Sequence, residues 1–282
     1  MIVFKMAEDL YEEMVELRSK GLRAALATII VTRGATPRKD SAKMLVYADG
    51  RQSGSIGGGF TEAEVRREAF IALKTGRPKL LSFDLTGLDH EESALVCGGF
   101  MQVYVEPVLP DPTLFIFGAG FVSRAVAEAV KPIGFKIAVI DDRLESANAD
   151  KFPMADNFYV DRWEEVLKKL PINDSSYLFI ATRGHSLDLL CLRFALQSPA
   201  RYIGMLGSLS KNRSLFELLE KEGMDPAQFL RVCVPAGIDI GAETAEEIAA
   251  SLAAEVIAVH KNLDIQAIRD AVRKIRNSGA GT

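Results

Sequence analysis

The chain has 282 residues, 48 % of them hydrophobic and 26 % charged, the balance of a folded protein with room for two ordinary domains. A formal net charge of −4 argues against a general nucleic-acid binder, and no run reaches the ~18 apolar residues that a membrane-spanning helix needs. Cys97, Cys191 and Cys233 stand far apart, and His90, His185 and His260 share no ligand spacing, so neither a disulfide framework nor a metal site is expected. The start MIVFKMAEDLYEEM turns acidic too early for a signal peptide, so reduced thiols and a cytoplasmic location are expected.

In chain order, Leu10, Met14 and Leu17 mark one face of a helix over 8–20, which Gly21 stops. Strands are predicted over 22–32 and 43–47, and Asp49-Gly50 predicts a hairpin into a third strand through Ser53. Gly57-Gly58-Gly59 follows, then a helix over 62–74 with Thr61 as its N-cap. Strands over 80–85 and 101–105 complete a small α+β domain, residues 1–107. Pro107, Pro110 and Pro112 place a linker over 108–112.

The second half alternates strands (114–117, 136–140, 158–160, 177–181, 201–206) with helices (123–131, 163–170, 187–197, 211–222) and ends in a long helix over 243–259. Alternation of this kind implies right-handed crossovers and a parallel sheet covered on both faces. The fold class is therefore α/β: a small N-terminal α+β domain, then a Rossmann-like parallel-sheet domain over 113–264, with a C-terminal tail over 265–282.

Several segments carry chemistry. In LFIFGAGFVSRAVA, Gly118 and Gly120 fill the first two places of a dinucleotide-binding turn, and Ser123 is small enough for the third. Asp141, about twenty residues on, stands where a carboxylate binds a ribose hydroxyl. Gly57, Gly58 and Gly59 with Ser55 either cradle an anion or form a ligand-free strand-to-helix turn, and Glu62 is the acid beside them. Cys97, before two glycines, is either an activated thiol or a small buried hydrophobe. Cys191 and Cys233 read as core. Arg183, His185, Gly207 and Ser208 lie after later strands, where doubly wound sheets bind ligands. Thr244 and Glu247 spell a helix capping box.

Together these segments resemble the xanthine dehydrogenase accessory protein family of the XdhC/CoxI type. The most specific are GSIGGGFTEAEV at 54–65, VCGGFMQVYVEP at 96–107, YIGMLGSLSKNR at 202–213 and GIDIGAETAEEIA at 237–249. The resemblance implies a maturation factor that holds the molybdenum cofactor (molybdopterin), supports its sulfuration and delivers it to a molybdenum hydroxylase apoenzyme. It also implies a cysteine desulfurase partner and a homodimer. Cys97 and the first glycine loop become the cofactor-handling candidates, and Gly118, Gly120 and Asp141 the nucleotide-binding turn. Four positions depart from the family pattern. Phe121 replaces a histidine, Arg183-Gly184 replaces the centre of a Thr-His-Asp-His stretch, and Phe60 replaces a cysteine. The competing readings are an NAD-dependent oxidoreductase with His185 as its acid or base, and a structural partner with a degenerate nucleotide fold.

Overall fold

The computed structural model describes residues 9–85 and 98–270. The chain divides into two compact units, with the division between Pro110 and Asp111.

In the first unit, helix α1 (Leu10–Ser19) begins at Asp9, whose carboxylate accepts the Tyr11 N–H at 3.0 Å. Strands β1 (Ala24–Arg33), β2 (Lys43–Tyr47) and β3 (Gln52–Gly54) precede helix α2 (Phe60–Thr75), and β4 (Lys79–Asp84) and β5 (Phe100–Val108) follow it. All pairings are antiparallel, in the order β3-β2-β1-β5-β4. Strand period decides the two faces of β1. Ala25, Ala27 and Ile29 pack with Val65, Ala69, Ala72 and Leu73 of α2, while Ala24 and Leu26 pack with Leu17 of α1.

Two details differ from the sequence reading. Helix α2 starts at Phe60, with Gly59 as N-cap at φ 64°. Thr61 is not the cap: it lies buried inside the first turn, its hydroxyl donating to the Gly58 carbonyl at 3.1 Å. Strand β5 continues through Pro107, which pairs in register with Ala25. Its pairing with β4 ends at Val105, so a missing N–H costs no ladder bond on that side.

The second unit holds β6 (Thr113–Phe117), α3 (Phe121–Val130), β7 (Lys136–Ile140), β8 (Asn157–Tyr159), α4 (Trp163–Lys169) and β9 (Ser176–Ile180). It continues through α5 (His185–Gln197), β10 (Tyr202–Met205), α6 (Leu209–Lys221), β11 (Val232–Cys233) and α7 (Ala245–His260). Every strand pairs in parallel, in the order β11-β10-β9-β6-β7-β8. That is the doubly wound Rossmann order, read from the far edge. The central strands β6, β7, β9 and β10 are largely apolar because both faces are covered, while the edge strands β8 and β11 are only partly buried. One face packs on α4, α5 and α6 through Trp163, Val166, Leu192 and Leu215, and the other on α3 and α7 through Val126, Val130, Leu252 and Val256. The Thr244–Glu247 capping box is present at the head of α7.

Candidate functional site

Strand order reverses between β6 and β9, and a crevice opens at the carboxyl ends of these strands. Its volume is about 220 Å³, and Gly118, Gly120, Ser123, Asp141, Thr182 and Arg183 are among its lining residues. The two glycines do different work. Gly118 has φ 105°, and a Cβ there would overlap the Ala181 carbonyl oxygen, so the fold itself demands glycine. Gly120 caps α3 at φ −87°, and an added Cβ would meet nothing within 4 Å. The fold therefore leaves open space over this residue, at the end of α3 where the first-turn N–H groups have no partner within the helix. Ser123, which the sequence marks only as a small packing residue, is buried in this lining with its Oγ unbonded. Phe121 stands 79 % exposed at the mouth.

Asp141 is buried, and its carboxylate is already engaged. Oδ2 accepts the Ala119 N–H at 2.9 Å and Arg143 Nη2 at 3.0 Å, while Oδ1 accepts Arg143 N at 3.0 Å and Nε at 2.9 Å. Four bonds fill the roughly four lone-pair directions of a carboxylate. Asp141 thus closes the glycine turn onto the end of β7, and a ribose hydroxyl would have to displace one of these donors. Its neighbour Asp142 is held by the Arg183 guanidinium, with Nη2 to Oδ2 at 2.7 Å. That guanidinium keeps the Asp142 carboxyl below the usual carboxylate range. Thr182 is fixed by buried Asp188, which accepts its hydroxyl at 2.6 Å.

A larger cavity of about 650 Å³ lies at the ends of β10 and β11. Leu206 lines both cavities. Gly207, the loop 235–242 and the α7 residues Ile248 and Ser251 form its walls, and Arg269 reaches it from beyond α7. The sequence alone assigns Arg269 to the tail. It is instead 11 % exposed and paired with fully buried Glu255, Nε to Oε2 at 2.7 Å. Arg269 also donates to the carbonyls of Pro235 and Gly237. Glu255 accepts the Gly237 N–H at 3.1 Å and the Tyr202 hydroxyl at 2.6 Å. Burial and the Glu255 charge push the Tyr202 hydroxyl well above its ordinary value. The Tyr202 ring lies over Gly204, where a Cβ would overlap its hydroxyl end. Burial likewise pushes the thiol of half-buried Cys233 up to about 12 and raises that of fully buried Cys191.

The remaining candidates fall elsewhere. His185 opens α5 and is exposed, and it is not among the residues lining either cavity. Ser208 is exposed, its Oγ 3.1 Å from that of Ser210, and lines neither cavity. In the first unit, the Ser55 hydroxyl donates to Glu62 Oε1 at 2.7 Å and accepts the Gly57 N–H at 3.3 Å. A carboxylate thus heads the Gly57–Gly59 turn, where an anion seat is one of the two sequence readings. A Cβ at Gly58 would meet nothing within 4 Å. Cys97 lies outside the described residues. Among the described residues, no helix is long and apolar enough to cross a membrane, and no group of three His, Cys, Asp or Glu residues is placed to hold a metal.

Comparison with known proteins gives a consistent assignment. YqeB, an uncharacterized protein of Escherichia coli K12, is 33 % identical over 255 residues, 90 % of this chain and 47 % of that protein. A Bacillus subtilis protein described as a probable xanthine dehydrogenase subunit is 29 % identical over 164 residues, 58 % of this chain and 48 % of that protein. This chain therefore spans about half the length of each. The molybdenum cofactor insertion chaperone PaoD of Escherichia coli K12 is 23 % identical over 87 % of this chain and 86 % of its own length. A crystal structure described as a xanthine dehydrogenase from Bacillus halodurans shares the fold, with 24 % identity, a TM-score of 0.50, and coverage of 90 % of this chain and 96 % of the other. The XdhC Rossmann domain model matches residues 114–256, about half of the chain, and the XdhC and CoxI family model matches residues 17–84. The chain belongs to the XdhC and CoxI family.

Proposed function

We propose that this protein is a maturation and insertion factor that holds the molybdenum cofactor (molybdopterin) for a xanthine dehydrogenase-type hydroxylase, a carrier rather than a turnover enzyme. The observation that carries this reading is the seat at the head of α3: open space over Gly120 and an unbonded, buried Ser123 hydroxyl. The first-turn amides of α3 and this hydroxyl are donors, the one carboxylate lining the cavity, Asp141, is already held by Ala119 and Arg143, and the donors suit the cofactor's phosphate. Similarity to PaoD, named for cofactor insertion, supports the same role. The molybdenum centre supplies the chemistry of the client enzyme, and this chain's residues bind and orient. In the first unit, Ser55, Gly57, Gly58, Gly59, Glu62 and Cys97 are the proposed cofactor-handling group, with Cys97 supporting sulfuration. A cysteine desulfurase as sulfur source, the hydroxylase apoenzyme as client, a homodimer and a cytoplasmic location complete the proposal. An NAD-dependent oxidoreductase is less well supported, because Asp141 is engaged by Arg143 and His185 lines neither cavity.

The test is copurification from cells that make the cofactor, followed by oxidation to a fluorescent pterin. The parent protein should carry pterin, and Cys97→Ser should stay folded yet activate apo-hydroxylase poorly. Pterin-free parent protein would overturn the reading, and full activation by Cys97→Ser would remove the thiol from it.

A further inference from the structure

The two cavities of the second unit lie on either side of Leu206, and they differ in what they offer. The smaller one has the helix amides, the open space over Gly120 and the Ser123 hydroxyl. It is bounded toward β7 by Asp141 and Arg143, which hold each other, while Arg183 from the loop after β9 takes the neighbouring Asp142. A dinucleotide bound across a Rossmann sheet needs that β7 half for its second nucleoside. The larger cavity lies in the opposite direction, over β10 and β11, with a volume inside the range of ordinary small-molecule sites. Its side walls are largely apolar, from Leu206, Ile238, Ile240 and Ile248, and Asp239, Ser251, Arg269 and the backbone of the loop 235–242 supply polar edges. That loop is pinned from beneath by buried Glu255 and Arg269, so the cavity is built before a ligand arrives.

We infer that the bound molecule extends one way only: its phosphate sits on the Gly120 turn, and its flat ring system crosses Leu206 into the 650 Å³ cavity over β10 and β11. The ligand class is a heterocycle carrying a single phosphate, and not a nicotinamide dinucleotide. This inference rests on the cofactor-carrier reading and adds to it a place and a direction.

The experiment is a fluorescence titration of the full chain with three probes: the oxidised pterin monophosphate obtained from molybdopterin, the same pterin without phosphate, and NAD. Two variants fill or charge the large cavity. Ala242→Trp adds bulk to its lining, and Ile240→Asp changes a residue that is 59 % exposed, so folding should be spared. Each variant should weaken the pterin monophosphate at least tenfold with an unchanged melting midpoint. Loss of the phosphate should also cost at least tenfold, and NAD should bind at least tenfold more weakly than the pterin monophosphate. Parent-like affinity in both variants, or tighter binding of NAD, would overturn the inference while leaving the carrier reading intact. No binding of the pterin monophosphate by the parent would overturn both.

Discussion

The two glycines of the α3 turn should separate folding from binding when each is replaced by alanine. At Gly118 the backbone sits at φ 105°, which costs a non-glycine residue about 1–3 kcal/mol. The new methyl would also overlap the Ala181 carbonyl, a backbone atom that cannot rotate away, and overpacking adds about 1–3 kcal/mol. Gly118→Ala should therefore lose about 2–6 kcal/mol, and at ~2–4 °C per kcal/mol the melting midpoint should fall by roughly 4–24 °C. At Gly120 the φ of −87° suits alanine, and the methyl meets nothing within 4 Å. The remaining cost is the poorer N-cap propensity of alanine, at most ~1 kcal/mol. That same methyl occupies the space proposed for the ligand phosphate. Gly120→Ala should therefore melt within about 4 °C of the parent yet retain much less pterin on purification. Thermal melting by circular dichroism, paired with pterin fluorescence of the purified protein, measures both. If Gly120→Ala keeps its pterin, or if Gly118→Ala melts like the parent, the division of labour drawn from the geometry is mistaken.

Arg269→Met should cost about 3–5 kcal/mol in chemical denaturation, because it strands the fully buried Glu255 carboxylate without its cation. An equal loss in the double variant Glu255→Gln/Arg269→Met would show that the charge pair is not the cause. His260 is held below its ordinary value by burial first, then by Arg201 and Lys261. The unfolded chain, at about pH 6.5, takes up the proton first, so this contribution is present above that pH and is lost as pH falls through the lowered native value. His260→Gln should flatten the decline in stability between about pH 7 and 5, and identical slopes in parent and variant would count against the assignment.

Much of the fold could be read directly, and the reasons are local. The second unit alternates apolar strands with helices whose packing faces repeat at helical spacing, and the strands at 136–140 and 113–117 lie where apolar runs placed them. The capping box at Thr244 and the hairpin into β3 follow from short-range chemistry. The start of α2 did not, because Thr61 and Gly59 both suit a cap and only tertiary burial of Thr61 decides between them. Of the site, the glycine turn was legible as a motif, while the engagement of Asp141 was not. That depends on Arg143, two residues on, folding back onto it. Arg269 was less legible still. An arginine in an amphipathic terminal stretch reads as solvated, and nothing local announces a buried glutamate fourteen residues earlier.

The packing of Tyr202 over Gly204 ties a strand interior to the larger cavity. A substitution at Gly204 would touch no cavity wall and would look like a plain sheet defect. Yet any side chain there evicts the tyrosine ring, withdraws its hydroxyl from Glu255, and unfastens one support of the loop from Pro235 to Gly237. In a mutational scan, Gly204 should therefore group with residues of that loop and not with its neighbours along β10.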